Sequence, residues 1–171
     1  MPAKQLELPV IEQLAATPEI LRTLMANVSE ESAVARPNPV RWSIAEVLEH
    51  LSHVEGNMFR VRLDQIMEST NPTVEPYDQE EHAAAGTYSG RDPEESFAHF
   101  EEQREANVEF LTGLAAEAAA RTANHPIAGP FTLEEMLNCW AAHDLSHIRQ
   151  IAELARDTTF LPAMGNLIKV L

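Results

Sequence analysis

Two histidines of this chain, His143 and His147, have the type and spacing of metal ligands. They lie in a stretch whose inward line also includes Met136, Trp140, Ile151 and Leu154. Steps of three and four residues are typical of one helix face, and such a face normally points into the core. Side chains at i and i+4 have Cβ atoms ~5–6 Å apart, so both imidazoles can reach one ion.

A third histidine, His50, is predicted to complete this site from another helix. It lies between Val47 and Val54 on the inward side of the second predicted helix. Neutral imidazole is a ligand for Zn, Ni, Fe or Cu, and three such ligands leave positions for water or substrate. His53 competes with His50, since it is one turn further and rotated by about 60°. The alternative is a metal-free core in which each imidazole has its own polar partner.

Other polar residues near these positions have more than one interpretation. Glu55 and Asp144 each follow an inward residue, so we expect either an acceptor for a ligand imidazole or a surface carboxylate. Arg104 lies on an inward line, and a structural role, at the surface or paired with an acid, is favoured over binding an anionic substrate. Cys139 is expected to be a buried, inert thiol. Solvent-exposed histidine is expected at His82, His99 and His125.

Four amphipathic helices, with no clear strand pattern, are predicted to position these residues. They cover residues 9–27, 43–68, from 92 to beyond 111, and 132–156. Ser43 and Thr132 each begin a capping box, with a glutamate three residues later. The third helix begins at Asp92, followed by a proline at the first helical position. Pro18 is expected to kink the first helix or restart it, with Thr17 as the cap.

The connection between the second and third helices is long, at residues 70–91. A connection of this length can run along a whole bundle, so these two helices are expected to be parallel. The fold class that follows is all-α, a four-helix bundle, and we expect one domain over residues 1–171. The apolar tail, residues 160–171, is expected to pack on the bundle or on a partner.

The composition excludes several classes of function. The net charge is −15, with only 12 Lys and Arg residues, so phosphate backbones and anionic membranes are disfavoured as partners. The sequence has no apolar run of 18 residues and no signal-peptide pattern. A single cysteine leaves no internal disulfide framework. Together these features favour a cytoplasmic protein.

Two motifs resemble those of the DinB-like (YfiT-like) family. Trp42-Ser-Ile-Ala-Glu-Val-Leu-Glu-His50-Leu-Ser-His-Val-Glu55 is similar to the second helix of that family, and His143-Asp-Leu-Ser-His147-Ile-Arg-Gln150-Ile151 is similar to its fourth. The resemblance implies an up-down-down-up four-helix bundle and a homodimer. It also implies a divalent metal on His50, His143 and His147, Zn or Ni first, with Fe or Mn as further candidates. His53 replaces the usual acidic or small polar residue of the family.

The function expected from this resemblance is metal-dependent transfer of a low-molecular-weight thiol, such as bacillithiol or mycothiol, to a small electrophile in detoxification. A metal would lower the pKa of the bound thiol or water. Metal-dependent hydrolysis is the alternative enzyme function. A non-catalytic bundle that binds a metal or a small ligand is the alternative outside enzymes.

Overall fold

The computed structural model describes residues 4–170. Its α-helices are α1 Pro9–Met25, α2 Glu30–Val34, α3 Ile44–Val54, α4 Arg60–Glu68, α5 Gln79–Ala84, α6 Pro93–Thr112, α7 Leu133–Ala155 and α8 Leu161–Ala163. Two short strands, β1 Thr122–His125 and β2 Gly129–Thr132, precede α7. Over residues 4–170, no helix is both long enough and apolar enough to cross a membrane. The predicted all-α class is confirmed, with a small hairpin added.

The helix starts follow the predicted capping residues. Ser43 accepts a hydrogen bond from the Glu46 amide while the Glu46 side chain accepts from the Ser43 amide, and Thr132 forms the same box at α7. The Asp92 side chain caps α6, with proline at its first position. These caps satisfy amide groups that have no partner within the helix, and so fix where each ligand-bearing helix begins.

The predicted restart of the helix at Pro18 is wrong, because α1 continues through it, while the predicted kink stays a prediction. Proline has no N–H, so the carbonyl of Leu14, four residues earlier, loses its helical partner. A guanidinium nitrogen of Arg104, Nη1, donates to that carbonyl at 2.8 Å. Thr17 is buried within the helix instead of capping it. The donor that keeps the helix intact comes from another helix, which a local pattern does not reveal.

The second bundle helix, residues 44–68, contains a π-helical segment that the sequence pattern did not predict. This segment, Glu55–Phe59, joins α3 to α4 without a break. One π turn adds a residue to the helical repeat and rotates everything beyond it, and such turns occur often at functional sites. Here it begins at buried Glu55 and ends at buried Phe59, both of which lie close to α7.

The hairpin and the long connection pack against each other. Strands β1 and β2 are antiparallel, with Thr122 opposite Thr132, and residue 73 bridges to Asn124. The expectation of no strand is therefore corrected. The four-residue strands of the hairpin lack alternating apolar residues, so the sequence carried no signal with a period of two. Gly129, at φ +83, occupies a backbone conformation that suits glycine.

The directions of the helices follow from which residues meet. Glu49 meets Ser96 and Glu55 meets Arg104, so the second and third bundle helices are parallel. The His50 ring lies against that of His147, and Phe59, later in the second bundle helix, stacks on Trp140, earlier in α7. The second bundle helix and α7 are therefore antiparallel. Leu6 meets Leu114 and Leu14 meets Arg104, so α1 is antiparallel to α6. The bundle is thus up-down-down-up, as expected.

Each helix of one diagonal pair packs against both helices of the other. The main pairings join α1 to α6 and α7, and join α3 to the same two helices. One apolar cluster surrounds Leu14, Leu63, Leu111 and Trp140; the other surrounds Leu21, Leu48, Phe100 and Ile151. Between these clusters lies a set of buried polar residues that we call the polar layer: Thr17, Glu55, Arg104, Asn107 and Asp144.

The last described part of the apolar C-terminal tail, residues 165–170, does not pack on the bundle. Residues 165–170 form a 3₁₀ helix with no buried residue, and Leu167 and Val170 are exposed. The expectation that this tail packs on the bundle is therefore wrong for these residues, while Leu171 lies outside the described part. Packing on a partner stays a prediction.

Candidate metal centre

Three histidines from two helices converge at one point. His50 comes from α3, and His143 and His147 come from successive turns of α7. The Nε2 atom of His143 is 3.1 Å from that of His50 and 3.2 Å from that of His147. His50 is 1% exposed and His147 7%, while His143 is half-buried. These are the three residues on which the predicted site was based.

The spacing of the Nε2 atoms fits one divalent ion. Two nitrogens that each lie ~2.0–2.1 Å from a metal are about 3 Å apart when the angle between the bonds is near 90–110°. The ligand atoms of His50, His143 and His147 all lie within 4.8 Å of one another, and this group includes no carboxylate. A set of three imidazoles leaves one or more coordination positions for water or substrate.

Burial keeps the three imidazoles neutral, as ligation requires. It lowers the pKa of His50 to about 2 and that of His143 to about 3, and the neighbouring imidazoles add to both shifts. Burial also lowers the pKa of His147, while a hydrogen bond to Gln150 and the charge of Asp144 oppose that shift. Nδ1 of His147 is 2.8 Å from Oε1 of Gln150. A carbonyl oxygen only accepts, so Nδ1 carries the proton and Nε2 has a free lone pair.

Aromatic rings hold His50 where a hydrogen bond does not. Its Nδ1 atom is buried without a hydrogen-bond partner, and so is Nδ1 of His143. The His50 ring instead lies 5.3 Å from Trp42 and 5.0 Å from Tyr88, centroid to centroid. Ligand histidines are usually oriented through their second nitrogen. Ring packing orients His50 instead, and through Tyr88 the 70–91 connection contacts the site.

His53 lies outside the group of three. It is half-buried, and its ring is 4.9 Å from that of His82 and 5.9 Å from Tyr88. The rotation of about 60° around the helix that separates it from His50 directs it towards the connection. His82 is half-buried and stacks on Tyr77, contrary to the expected exposure. His99 is exposed as predicted, whereas His125 is half-buried.

Every N–H donor of the Arg104 guanidinium has an acceptor in or beside the polar layer. Nε and Nη2 donate to the two oxygens of Glu55, both at 2.8 Å. Nη1 and Nη2 donate to Asp144 at 2.6 and 3.1 Å, and Nη1 also reaches the Leu14 carbonyl. Five N–H groups thus have five acceptors, the full capacity of arginine. The structural interpretation of Arg104, a pair with an acid, is confirmed.

Glu55 and Asp144 fulfil neither of their two predicted roles. Both are 1% exposed, so neither is a surface carboxylate. Their hydrogen bonds go to Arg104 and to other residues of the layer, and neither bonds a ligand imidazole. The guanidinium of Arg104, which comes from another helix, engages both carboxylates instead.

Several residues around the site were missed by sequence reasoning. The Asn107 amide and the Trp140 indole N–H donate to Glu55 at 2.9 and 3.0 Å, and Thr17 donates to Asp144 at 2.8 Å. Asn107 follows Arg104 by three residues on one helix face, which was an available signal. Tyr88 had none, because it lies in an irregular connection. Cys139, expected to be buried, is exposed.

Two cavities of the described chain lie away from the histidines. One of about 500 Å³ lies where α1 ends and α6 begins, and it is lined by Met25, Ile44, Leu48, Phe97 and others. A smaller one, about 280 Å³, lies between α1 and α6. None of the three convergent histidines lines either cavity.

Comparison with known proteins places the chain. The model of the DinB superfamily matches residues 13–151. A protein of Oceanobacillus iheyensis named "Putative metal-dependent hydrolase" is 23% identical over 146 residues, 85% of this chain and 84% of its own. YfiT of Bacillus subtilis, with the same description, is 27% identical over 116 residues, 67% of this chain and 65% of its own.

A solved structure has the same fold. YfiT from Bacillus subtilis, described as "a probable metal-dependent hydrolase with an unusual four-helix bundle topology", aligns with a TM-score of 0.75. The alignment covers 86% of this chain and 84% of that one at 23% identity, which supports the fold alone. With the family match over residues 13–151, this chain belongs to the DinB superfamily.

Proposed function

We propose that this protein is a divalent-metal-dependent enzyme whose metal is bound by His50, His143 and His147. The observation that carries the proposal is the convergence of three neutral Nε2 atoms at 3.1 and 3.2 Å in a buried recess. Zn²⁺ and Ni²⁺ are the proposed ions, since both accept imidazole nitrogen. When bound, such an ion polarises a substrate oxygen and lowers the pKa of a coordinated water or thiol.

The residues of the chain orient the ligands and restrict access. Gln150 fixes the tautomer of His147, and the rings of Trp42 and Tyr88 fix His50. The ring of Phe59 meets His143 edge-on, with centroids 5.4 Å apart. These apolar walls limit water around the site and favour small substrates. A low local dielectric strengthens each charge interaction there.

Hydrolysis of a small electrophilic substrate is the reaction that we propose first. The relatives from Oceanobacillus iheyensis and Bacillus subtilis are both named as metal-dependent hydrolases. A divalent ion held by His50, His143 and His147 would lower the pKa of water and so supply a nucleophile at neutral pH. This suits a ligand group of imidazoles without a carboxylate.

Transfer of a low-molecular-weight thiol is the second candidate, and one observation favours it. Hydrolysis is usually assisted by a nearby carboxylate that handles protons. Glu55 and Asp144 are both engaged by Arg104, so neither is free for that role. A thiol that loses its proton on binding needs no such group.

Metal content tests the site directly. Protein purified without an affinity metal is analysed for elements, as wild type and as the variants His50→Ala, His143→Ala and His147→Ala. His53→Ala is the matched control, because it removes an imidazole one turn away on the same helix. We expect near-stoichiometric metal in wild type and in the control, and loss in the other three. Metal loss in His53→Ala, His143→Ala and His147→Ala, with metal retained in His50→Ala, would move the third ligand from His50 to His53.

The two reactions separate in one assay. The metal-loaded protein is given activated esters, amides and alkyl electrophiles, with and without added thiols. Turnover without thiol that stops on chelation supports hydrolysis, whereas turnover that requires thiol supports transfer. Binding of metal with no turnover of either kind would instead indicate a metal- or ligand-binding bundle.

A further inference from the structure

The polar layer carries an excess negative charge in the core. Arg104 is the one cation of the layer, and Glu55 and Asp144 are two acids. The side chain of Arg104 is 2% exposed and those of the acids 1%, so bulk water screens none of them. One arginine neutralises only one carboxylate, and a second carboxylate has been placed beside it.

The hydrogen bonds show that both carboxylates are acceptors only. Glu55 accepts from Arg104, Asn107 and Trp140. Both oxygens of Asp144 accept from Arg104, and Thr17 donates to one of them. The Thr17 hydroxyl could also accept, but a proton on either oxygen of Asp144 would compete with a guanidinium N–H. A protonated acid would need to donate one bond. The layer therefore holds two carboxylates and one guanidinium, a net charge of −1.

The acids of the layer lie next to the three histidines. Asp144 follows His143 directly in α7 and precedes His147 by three residues of the same helix. Glu55 bonds Trp140, which is one helical turn before His143. The neutral imidazoles themselves contribute no charge that could balance the layer. A buried charge without a counter-charge is strongly unfavourable.

We propose that the excess negative charge of the polar layer is the counter-charge of the metal ion at the three histidines. Glu55 and Asp144 then lower the free energy of the bound cation through the low-dielectric core, without contacting it. This inference rests on the proposed function, since it requires a metal at His50, His143 and His147. It adds two groups, absent from the ligand set, that determine how tightly a divalent ion binds.

A purely structural role of the layer predicts a different outcome. Arg104 with a single carboxylate would already be a neutral buried pair, so a second acid adds charge without being needed for neutrality. If the layer only held helices together, neutralising one acid would alter stability and leave metal affinity unchanged. If it is a counter-charge, metal affinity falls with the charge.

The test measures the dissociation constant of Zn²⁺ by competition with a chromophoric chelator. Glu55→Gln and Asp144→Asn each remove one charge with little change of shape. Thr17→Val is the matched control, because it removes a hydrogen bond to Asp144 and keeps every charge. We expect affinity about ten- to a hundredfold weaker in both amide variants, and near wild type in the control.

The outcomes are distinct from those that test the proposed function. Equal affinity in wild type and both amide variants would overturn the counter-charge and leave the metal site intact. No Zn²⁺ binding by wild type would remove both proposals. Circular dichroism verifies that each variant is folded, and if Asp144→Asn does not fold, Glu55→Gln makes the same charge change and decides.

Discussion

Arg104→Met tests how far the stability of the bundle depends on the polar layer. Methionine keeps the length and much of the apolar volume of arginine, and removes its charge and all five N–H donors. Glu55 and Asp144 would then face each other, each 1% exposed, without their shared cation. The carbonyl of Leu14, left free by Pro18, would lose its donor as well.

The expected loss of stability is large. Removing one partner of a buried ion pair costs about 3–5 kcal/mol, since the remaining charge stays desolvated. For a chain of this size, 1 kcal/mol lowers the melting temperature by roughly 2–4 °C. We therefore expect melting about 6–20 °C below that of wild type. A protein of ordinary stability would be close to unfolding at 37 °C.

Urea unfolding followed by far-ultraviolet circular dichroism measures this loss, with a chelator present so that metal binding does not contribute. Arg22→Met is the matched control: Arg22 pairs with Glu19 and Glu101, but its side chain is 55% exposed. Exposed pairs contribute about 0–1 kcal/mol. If Arg104→Met cost no more than Arg22→Met, the layer would not be the desolvated network described above.

Three further predictions concern the caps and the metal site. Ser43→Ala should lower the free energy of unfolding by about 1 kcal/mol in urea titration, because it removes the helix cap; no change would mean that the cap is dispensable. Zn²⁺ at a hundred times its dissociation constant should stabilise wild type by about 2.7 kcal/mol in thermal melts, and should not stabilise His147→Ala. Tyr88→Leu should weaken Zn²⁺ binding measured by chelator competition, whereas Tyr88→Phe keeps the ring against His50 and should bind like wild type; equal binding by both would show that the ring does not orient His50.

Much of the fold was predictable because its signals are local. Ser43 and Thr132 each predict a helix start together with the glutamate three residues later, and the structure has a capping box at both positions. The three- and four-residue spacing that put His143 and His147 on an inward line also brought them to His50. The length of residues 70–91 predicted the parallel pair of helices. The metal itself stays a prediction.

What the sequence did not predict depends on contacts between distant residues. α1 continues through Pro18 because of Arg104, 86 positions away. Glu55 is buried where Arg104, Asn107 and Trp140 donate to its carboxylate, and the π turn that starts at Glu55 has no sequence signal. The strands of the hairpin before α7 are too short to show an alternation of apolar and polar residues. Asp144 was recognised as close to the site, but its partner could only be found in three dimensions.

The diagonal arrangement of the helices has a consequence for how the chain is made. Everything before the 70–91 connection contributes α1 and α3, and everything after it contributes α6 and α7. Since the main pairings run between these two groups, the first half leaving the ribosome has its apolar faces unmatched until the second half follows. Neither half is a folding unit, so the same chain cut near Gly86 should give two fragments that fold only together. Those fragments would bring His50 on one and His143 with His147 on the other, so that a metal ion would link them.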